Sequence, residues 1–155
     1  MINEFRGKYY FLSNFYSCKV EWEGLTYENN EAAFQSAKCI KLEQRKNFLG
    51  LDPSSAKRKG RRVKLRDDWE EVKDQIMYEI VLNKFSQNEE LRKKLIATGD
   101  EYLEEGNTWH DTYWGVCNGK GKKIDKVIKN KTWEQEVKEE SKILMQVREE
   151  LKLDK

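Results

Sequence analysis

The chain is poor in the residues from which several kinds of site are built. It holds one histidine, His110, in 155 residues, which excludes a two-histidine metal motif and a relay of several histidines. Its three cysteines, Cys18, Cys39 and Cys117, are odd in number and never spaced C-x-x-C. They encode neither a disulfide framework nor a zinc pattern and are read as reduced thiols. No run approaches the ~20 apolar residues that a membrane span needs, and the N-terminal MINEFRGKYYF lacks the apolar stretch of a signal peptide. The expectation is a cytoplasmic protein with no membrane partner. Chemistry is left to carboxylates, lysines and aromatics, and no metal or cofactor is expected.

A length of 155 residues predicts one domain over 1–155. The composition is 37% hydrophobic and 37% charged, but five Trp, seven Tyr and six Phe supply apolar surface for one core and for a stacking site. Net charge is only +2, yet it is unevenly spread. Residues 41–66 carry ten Lys/Arg against Glu43 and Asp52, a local net of +8, and Lys120 to Lys131 carries six lysines against Asp125. Each run is either a solvated surface or a phosphate-binding face.

KVEW followed by EGLTY alternates as a hairpin around Glu23-Gly24. Beyond it the periodicity is helical. Asn29 and Asn30 cap a helix from Glu31 to Cys39 or Ile40, and Asp52-Pro53 opens another from Ser54 to Arg62. The longest helix is expected from Asp67 or Asp68, with Glu70 and Glu71 placed for a capping box and Trp69, Val72, Ile76, Met77, Ile80, Val81 and Phe85 on its apolar side. A helix marked by Leu91, Leu95 and Ile96 closes at Gly99, and a last one opens at Thr132 and runs through Val137, Ile143, Leu144, Val147 and Leu151. Residues 104–122 hold four glycines, break all periodicity and read as a long loop. The fold class is α+β, mainly helical, with a small N-terminal β element.

The helix from Glu31 is the most informative segment. Glu31, Phe34, Gln35 and Lys38 follow i, i+3, i+4, i+7 spacing on one face, while Ala32, Ala33, Ala37, Cys39 and Ile40 are small or apolar. Such a polar stripe on a closely packed helix is either a structural network or the lining of a pocket that tunes its carboxylate and amine. In the loop, Asn107, Asp111, Trp114 and the glycines Gly115, Gly119 and Gly121 form a second constellation. Glycine-spaced backbone approaches phosphates closely, and Lys120 and Lys122 add charge. It lacks the preceding strand and the third glycine of a dinucleotide fingerprint. Trp69, Trp109 and Trp114 are able to stack a base, but Trp69 also sits on the apolar helical stripe.

FLSNFY at 11–16, EAAFQSAK at 31–38, DWEEVKDQIM at 68–77, NKF at 83–85, LIATGD at 95–100, DTYWG at 111–115, GKGK at 119–122 and ILMQVREEL at 143–151 together resemble the NADAR or YbiA-like family of N-glycosidases. The resemblance covers nearly the whole chain. It implies a mainly helical α+β domain that cleaves bonds between ribose C1 and a nitrogen of a base or amine. Members are linked to phosphoribosylamino-pyrimidine intermediates of riboflavin synthesis, others to removal of ADP-ribose from guanine. By the same resemblance the acidic position of E-x-x-F-Q-x-x-K falls on Glu31, its lysine on Lys38, and D-x-x-W-G on Asp111, Trp114 and Gly115. Asn14, Phe15 and Trp69 match pocket positions. The chain departs from the family in an insertion, residues 123–140, between G-K-G and I-L-M, with no matching Asn or Leu-Gly.

The residue types suit that chemistry. N-glycoside cleavage passes through an oxocarbenium-like state, which a carboxylate from Glu31 or Asp111 stabilises. Lys38 either donates a proton or attacks C1 and forms a Schiff base with the opened sugar. Arg61, Arg62 and Arg66, with Arg6 behind them, are the expected phosphate ligands. The implied partner is a phosphorylated ribosyl or ADP-ribosyl small molecule, or nucleic acid if ADP-ribosylated guanine is the substrate. The rival reading is a non-catalytic module that binds ADP-ribose or a nucleotide without turnover.

Overall fold

The computed structural model describes residue 2, residues 5–103 and residues 133–153, the last of these with side chains from 141 onward. The loop at 104–122, with Asp111, Trp114, Gly115, Gly119 and Gly121, lies outside the described residues, as do the basic run at 120–131 and the Thr132 cap. The described residues are mainly helical with one small sheet, the α+β class that the sequence predicts. Chain contacts group them into two compact units, Asn14–Lys94 and Met1–Ser13 with Leu95–Lys155. Among the described residues, no helix is long and apolar enough to cross a membrane.

The first unit opens with the hairpin of β1 (Ser17–Trp22) and β2 (Leu25–Asn29), antiparallel, with an irregularity between Ser17 and Val20. Its turn falls where the sequence places it, and Glu23 (φ 47°) and Gly24 (φ 87°) both take the positive φ that a two-residue hairpin turn requires. Val20, Trp22, Tyr27 and Asn29 are buried. The other edge of β1 is not left bare, because α4 (Trp69–Gln87) and the residue after it reach across with polar side chains. Asn83 Nδ2 and Gln87 Nε2 donate to Glu21 O, Gln87 Oε1 accepts from Glu21 N at 2.8 Å, and Asn88 Nδ2 donates to Lys19 O. Strand groups that would otherwise be exposed are thereby paired.

Helix α1 (Asn30–Ser36) is buried along its whole length. Asn29 caps it, its Oδ1 accepting from Ala32 N at 2.8 Å. The helix stops at Ser36, three or four residues before the expected end. Ser36 Oγ donates to Ala33 O at 2.7 Å and lies 2.8 Å from the Tyr27 hydroxyl, and the chain then tightens through Lys38 N to Gln35 O and Cys39 N to Ser36 O. A short α2 (Leu42–Arg45) leads to α3 (Pro53–Gly60), which starts at the proline and is capped by Asp52 through Ser55 N.

In α4, Asp68 precedes the first turn but makes no cap. Arg66 takes its carboxylate at 2.6 and 3.2 Å, so the expected capping box does not form. Trp69, Ile76, Met77, Ile80, Val81 and Phe85 are buried as the apolar stripe predicts, whereas Val72 is only half-buried and two lysines, Lys73 and Lys84, are buried instead. Lys84 is 1% exposed, with its ammonium 5.4 Å from the Tyr16 ring and 5.0 Å from the Phe85 ring.

The division between the units falls within α5 (Glu89–Ala97). The second unit holds the end of α5, where Gly99 takes the left-handed φ of 65° that closes a helix, as expected from the sequence. Helix α6 (Trp133–Leu153) spans 21 residues against the 19 of α4, so it, and not α4, is the longest helix described. Ile143, Leu144, Val147 and Leu151 are buried. Its cations serve the end of α5: Arg148 Nη1 donates to Thr98 Oγ1 at 2.8 Å, and Lys152 Nζ donates to Gly99 O at 2.9 Å.

Burial lowers the pKa of Lys84 from 10.5 to about 8. The unfolded chain then holds this proton up to about pH 10.5 and the folded chain only to about pH 8, so more protons bind to the unfolded state in between and stability rises with pH across that window. The full shift corresponds to on the order of 3 kcal/mol. Denaturant unfolding from pH 7.5 to 10.5 is expected to show this rise in the native protein and to lose it in Lys84→Met. Parallel pH curves for the two proteins would refute it.

Candidate functional site

The site is built on the buried α1. Glu31, 9% exposed, sits in its first turn, with its backbone N–H donating to Asn14 O at 3.1 Å. One turn on, Gln35 Nε2 donates to Glu31 Oε2 at 2.7 Å and fixes the carboxylate. The other amide atom, Gln35 Oε1, is buried without a hydrogen-bond partner among the described residues. Asn14 is tied to the same corner, accepting from Asn30 Nδ2 at 3.2 Å.

Lys38 does not continue the helical face, since α1 has already ended. The tightened turn after Ser36 carries it instead to α3, where its Nζ lies 3.4 Å from Gly60 O, a long and weak contact. Its backbone carbonyl accepts from Arg66 N at 3.0 Å. Burial is the main cause that lowers the pKa of Lys38, and the charges of Arg61 and Lys57 lower it further. Glu31 opposes them, which places the carboxylate in the electrostatic field of the amine.

Apolar walls come from Phe34 and Trp69, both buried, with ring centroids 5.1 Å apart and planes tilted by 51°. Trp69 thus belongs to the packing of α1 on α4 and also borders the Glu31 helix. Phe15 lies under the Lys57 ammonium at 5.9 Å. Glu31, Lys38, Asn14, Phe15, Phe34, Gln35, Trp69 and Arg61 are therefore gathered around α1 and α3. The three arginines, by contrast, go different ways. Arg66 is engaged by Asp68 and reaches Ala37 O, so it braces the Lys38 segment. Arg62 lines a separate cleft with Arg58, Lys59 and Lys64. Among the described residues, no cluster of three His, Cys, Asp or Glu side chains is placed to hold a metal ion.

Two participants were not legible in the sequence. Lys57 reads there as one more member of a basic run. Gly60 reads as a helix end, but a β-carbon at this position would fall inside the side chain of Gln35. A larger residue here would displace the amide of a neighbour 25 positions earlier, and no local pattern signals that.

A search against family profiles matches the NADAR domain over residues 3–152. The chain belongs to the NADAR family. The NADAR chain is 40% identical over 114 residues to the N-glycosidase YbiA of Shigella boydii serotype 4, covering 71% of each protein. It is 33% identical over 145 residues to the riboflavin biosynthesis protein VVA0006 of Vibrio vulnificus, a match that takes in 91% of this chain and 35% of that longer one. The solution structure of the E. coli protein YbiA superposes with a TM-score of 0.74 at 31% identity, over 99% of this chain and 88% of that one. The resemblance read from the dispersed motifs is thus confirmed, and the fold with it.

The tight seat of Gln35 on Gly60 makes a stability test. Gly60→Ala is expected to destabilise by about 1–3 kcal/mol, the usual cost of forcing an extra carbon into a packed site. In a Gln35→Ala background the same change is expected to cost at least ~1 kcal/mol less, because the colliding amide is gone. Additive effects in the double-mutant cycle would show that the contact does not constrain the pair.

Proposed function

We propose that this chain is an N-glycosidase that hydrolyses the bond between ribose C1 and a nitrogen of a base or amine in a phosphorylated nucleotide-like substrate. The observation that carries the reading is the Glu31–Lys38 pair: a buried carboxylate held by Gln35, in the field of an amine whose pKa burial lowers. The names of the relatives, N-glycosidase and riboflavin biosynthesis protein, favour the same bond and a ribosylamino-pyrimidine as substrate. ADP-ribose on guanine is the second substrate class consistent with this chemistry.

In this reading Lys38 attacks C1 as a neutral amine. The C1–N bond breaks, and its electron pair leaves with the base nitrogen, which takes up a proton. The lysine-bound sugar opens to an iminium, water adds at C1, and expulsion of the amine frees the ribose and restores Lys38. Glu31 stabilises the positive charge that develops at C1 and accepts the proton of the attacking water. Gln35 Oε1, a buried acceptor left unpaired, is set to receive a hydroxyl or N–H of the substrate, since such a group is costly to leave unmatched. Arg61, exposed and near enough to lower the pKa of Lys38, is assigned the substrate phosphate in this reading. Asp111 is assigned the part of second carboxylate from the family motif alone.

Lys38→Ala is expected to keep its fold and lose at least ~10²-fold in kcat, the scale for losing a positioned nucleophile or acid. Lys38→Arg is not expected to rescue it, because Arg keeps the charge but does not deprotonate near neutral pH. Mass spectrometry of the products from a ribosylamino-pyrimidine and from an ADP-ribosylated guanine oligonucleotide identifies the substrate, and borohydride during turnover should leave a sugar adduct on the Lys38 peptide. Full activity in Lys38→Ala would remove the lysine from the mechanism. Binding without turnover of either substrate would instead favour the non-catalytic module.

A further expectation concerns pH. If the neutral amine reacts, kcat rises with pH through the lowered pKa of Lys38. Arg61→Gln removes a cation that helps lower that pKa, so the rising limb is expected to move to higher pH while KM for the phosphorylated substrate increases. A limb that stays in place would detach Arg61 from Lys38.

A further inference from the structure

Helix α3 and the segment after it carry their cations in two directions. Lys57 and Arg61 address the Lys38 centre, as their effect on that amine requires. The others open onto a cleft of about 460 Å³ lined by Arg58, Lys59, Arg62 and Lys64 together with Gln44 and Asn47. Glu31, Gln35 and Lys38 do not line it, although Cys39, which follows Lys38, does. No carboxylate lines it either. Arg58 is partly compensated, because it interacts electrostatically with the Asp52 carboxylate, to which Ser55, its own hydrogen-bond partner at 3.1 Å, also donates. Lys59, Arg62 and Lys64 are exposed and form no ion pair with any described residue.

Three uncompensated cations and two side-chain amides converge on a space large enough for a nucleotide-sized group. Like charges held this close repel one another, and a bound polyanion relieves that repulsion. The one aromatic residue of the lining, Phe48, is fully buried and offers no face on which to stack a base. The cleft therefore favours phosphate over base.

We propose that this cleft is a phosphate-binding site distinct from the Glu31–Lys38 centre, taking phosphate or diphosphate groups of a nucleotide or of a nucleic-acid strand. Recognition rests on guanidinium and ammonium groups matched to phosphate oxygens, with Gln44 and Asn47 donating further hydrogen bonds. Binding of this kind weakens steeply with salt.

The test uses the full chain and needs no turnover, so it fails or succeeds independently of the N-glycosidase reading. Inorganic pyrophosphate is titrated calorimetrically at low and moderate salt into the native protein, into K59E/K64E and, as a milder pair, into K59Q/K64Q. A weakening of roughly tenfold or more in the charge-reversed protein and a smaller one in the glutamine pair are expected. Both lysines are exposed, and an unchanged Tm reports that the fold is kept. A short unmodified single-stranded DNA then separates the sources. Competition with pyrophosphate through the same lysines assigns the site to a strand backbone, and failure to compete assigns it to a free nucleotide. Pyrophosphate binding that is absent, indifferent to Lys59 and Lys64, or lost in Arg61→Gln while the lysine pairs retain it, would overturn the proposal.

Discussion

The arrangement depends on burying a helix that carries polar side chains. All seven residues of α1 are buried, and four of them, Asn30, Glu31, Gln35 and Ser36, bring groups that cost free energy unless they are paired. The neighbouring elements are disposed to meet that demand. Asn14 accepts from both the Glu31 N–H and the Asn30 amide, Gln35 satisfies Glu31, and Ser36 engages its own helix and Tyr27. Gly60 lets α3 come close against the side chain of Gln35. Two acceptors of this helix are left unmatched among the described residues, Asn30 Oδ1 and Gln35 Oε1, and the second belongs to the amide that holds the Glu31 carboxylate.

The early end of α1 has a chemical consequence. Had the helix run on to Ile40, Lys38 would have stood on the same stripe as Glu31 and Gln35, with its amine close above the carboxylate. The turn after Ser36 instead lays Lys38 against the end of α3, where Gly60 O is a weak partner and Lys57 and Arg61 are nearby cations. A strong ion pair would hold the lysine protonated. Desolvation, the largest effect, favours the neutral amine that nucleophilic attack requires, against the opposing charge of Glu31 and with smaller help from Arg61 and Lys57. Arg66 secures this placement through its backbone bond to Lys38 O while its own charge is satisfied by Asp68.

Much of the architecture was legible because it rests on local signals. The Glu23-Gly24 turn, the Asn29 and Asp52 caps, the apolar side of α4 and the glycine closing α5 are each decided within a few residues. The exceptions show where local signals lose. Asp68 is a good cap residue that a guanidinium two positions earlier engages more strongly, and Lys73 and Lys84 are buried on a helix whose spacing gives no warning of it.

By itself, the sequence determined the family, the mainly helical α+β class and the grouping of Glu31, Phe34 and Gln35 on one helical face, because ordered motifs and helical spacing are properties of neighbouring residues. It also established that residues 41–66 are strongly basic. Only the tertiary structure decided how that charge is divided, sending Lys57 and Arg61 toward Lys38, Arg62 into another cleft and Arg66 onto Asp68. It alone revealed why position 60 is glycine. Charge and size are written residue by residue, but the partner that each side chain meets is set by packing between segments distant in the chain, and no periodicity encodes it.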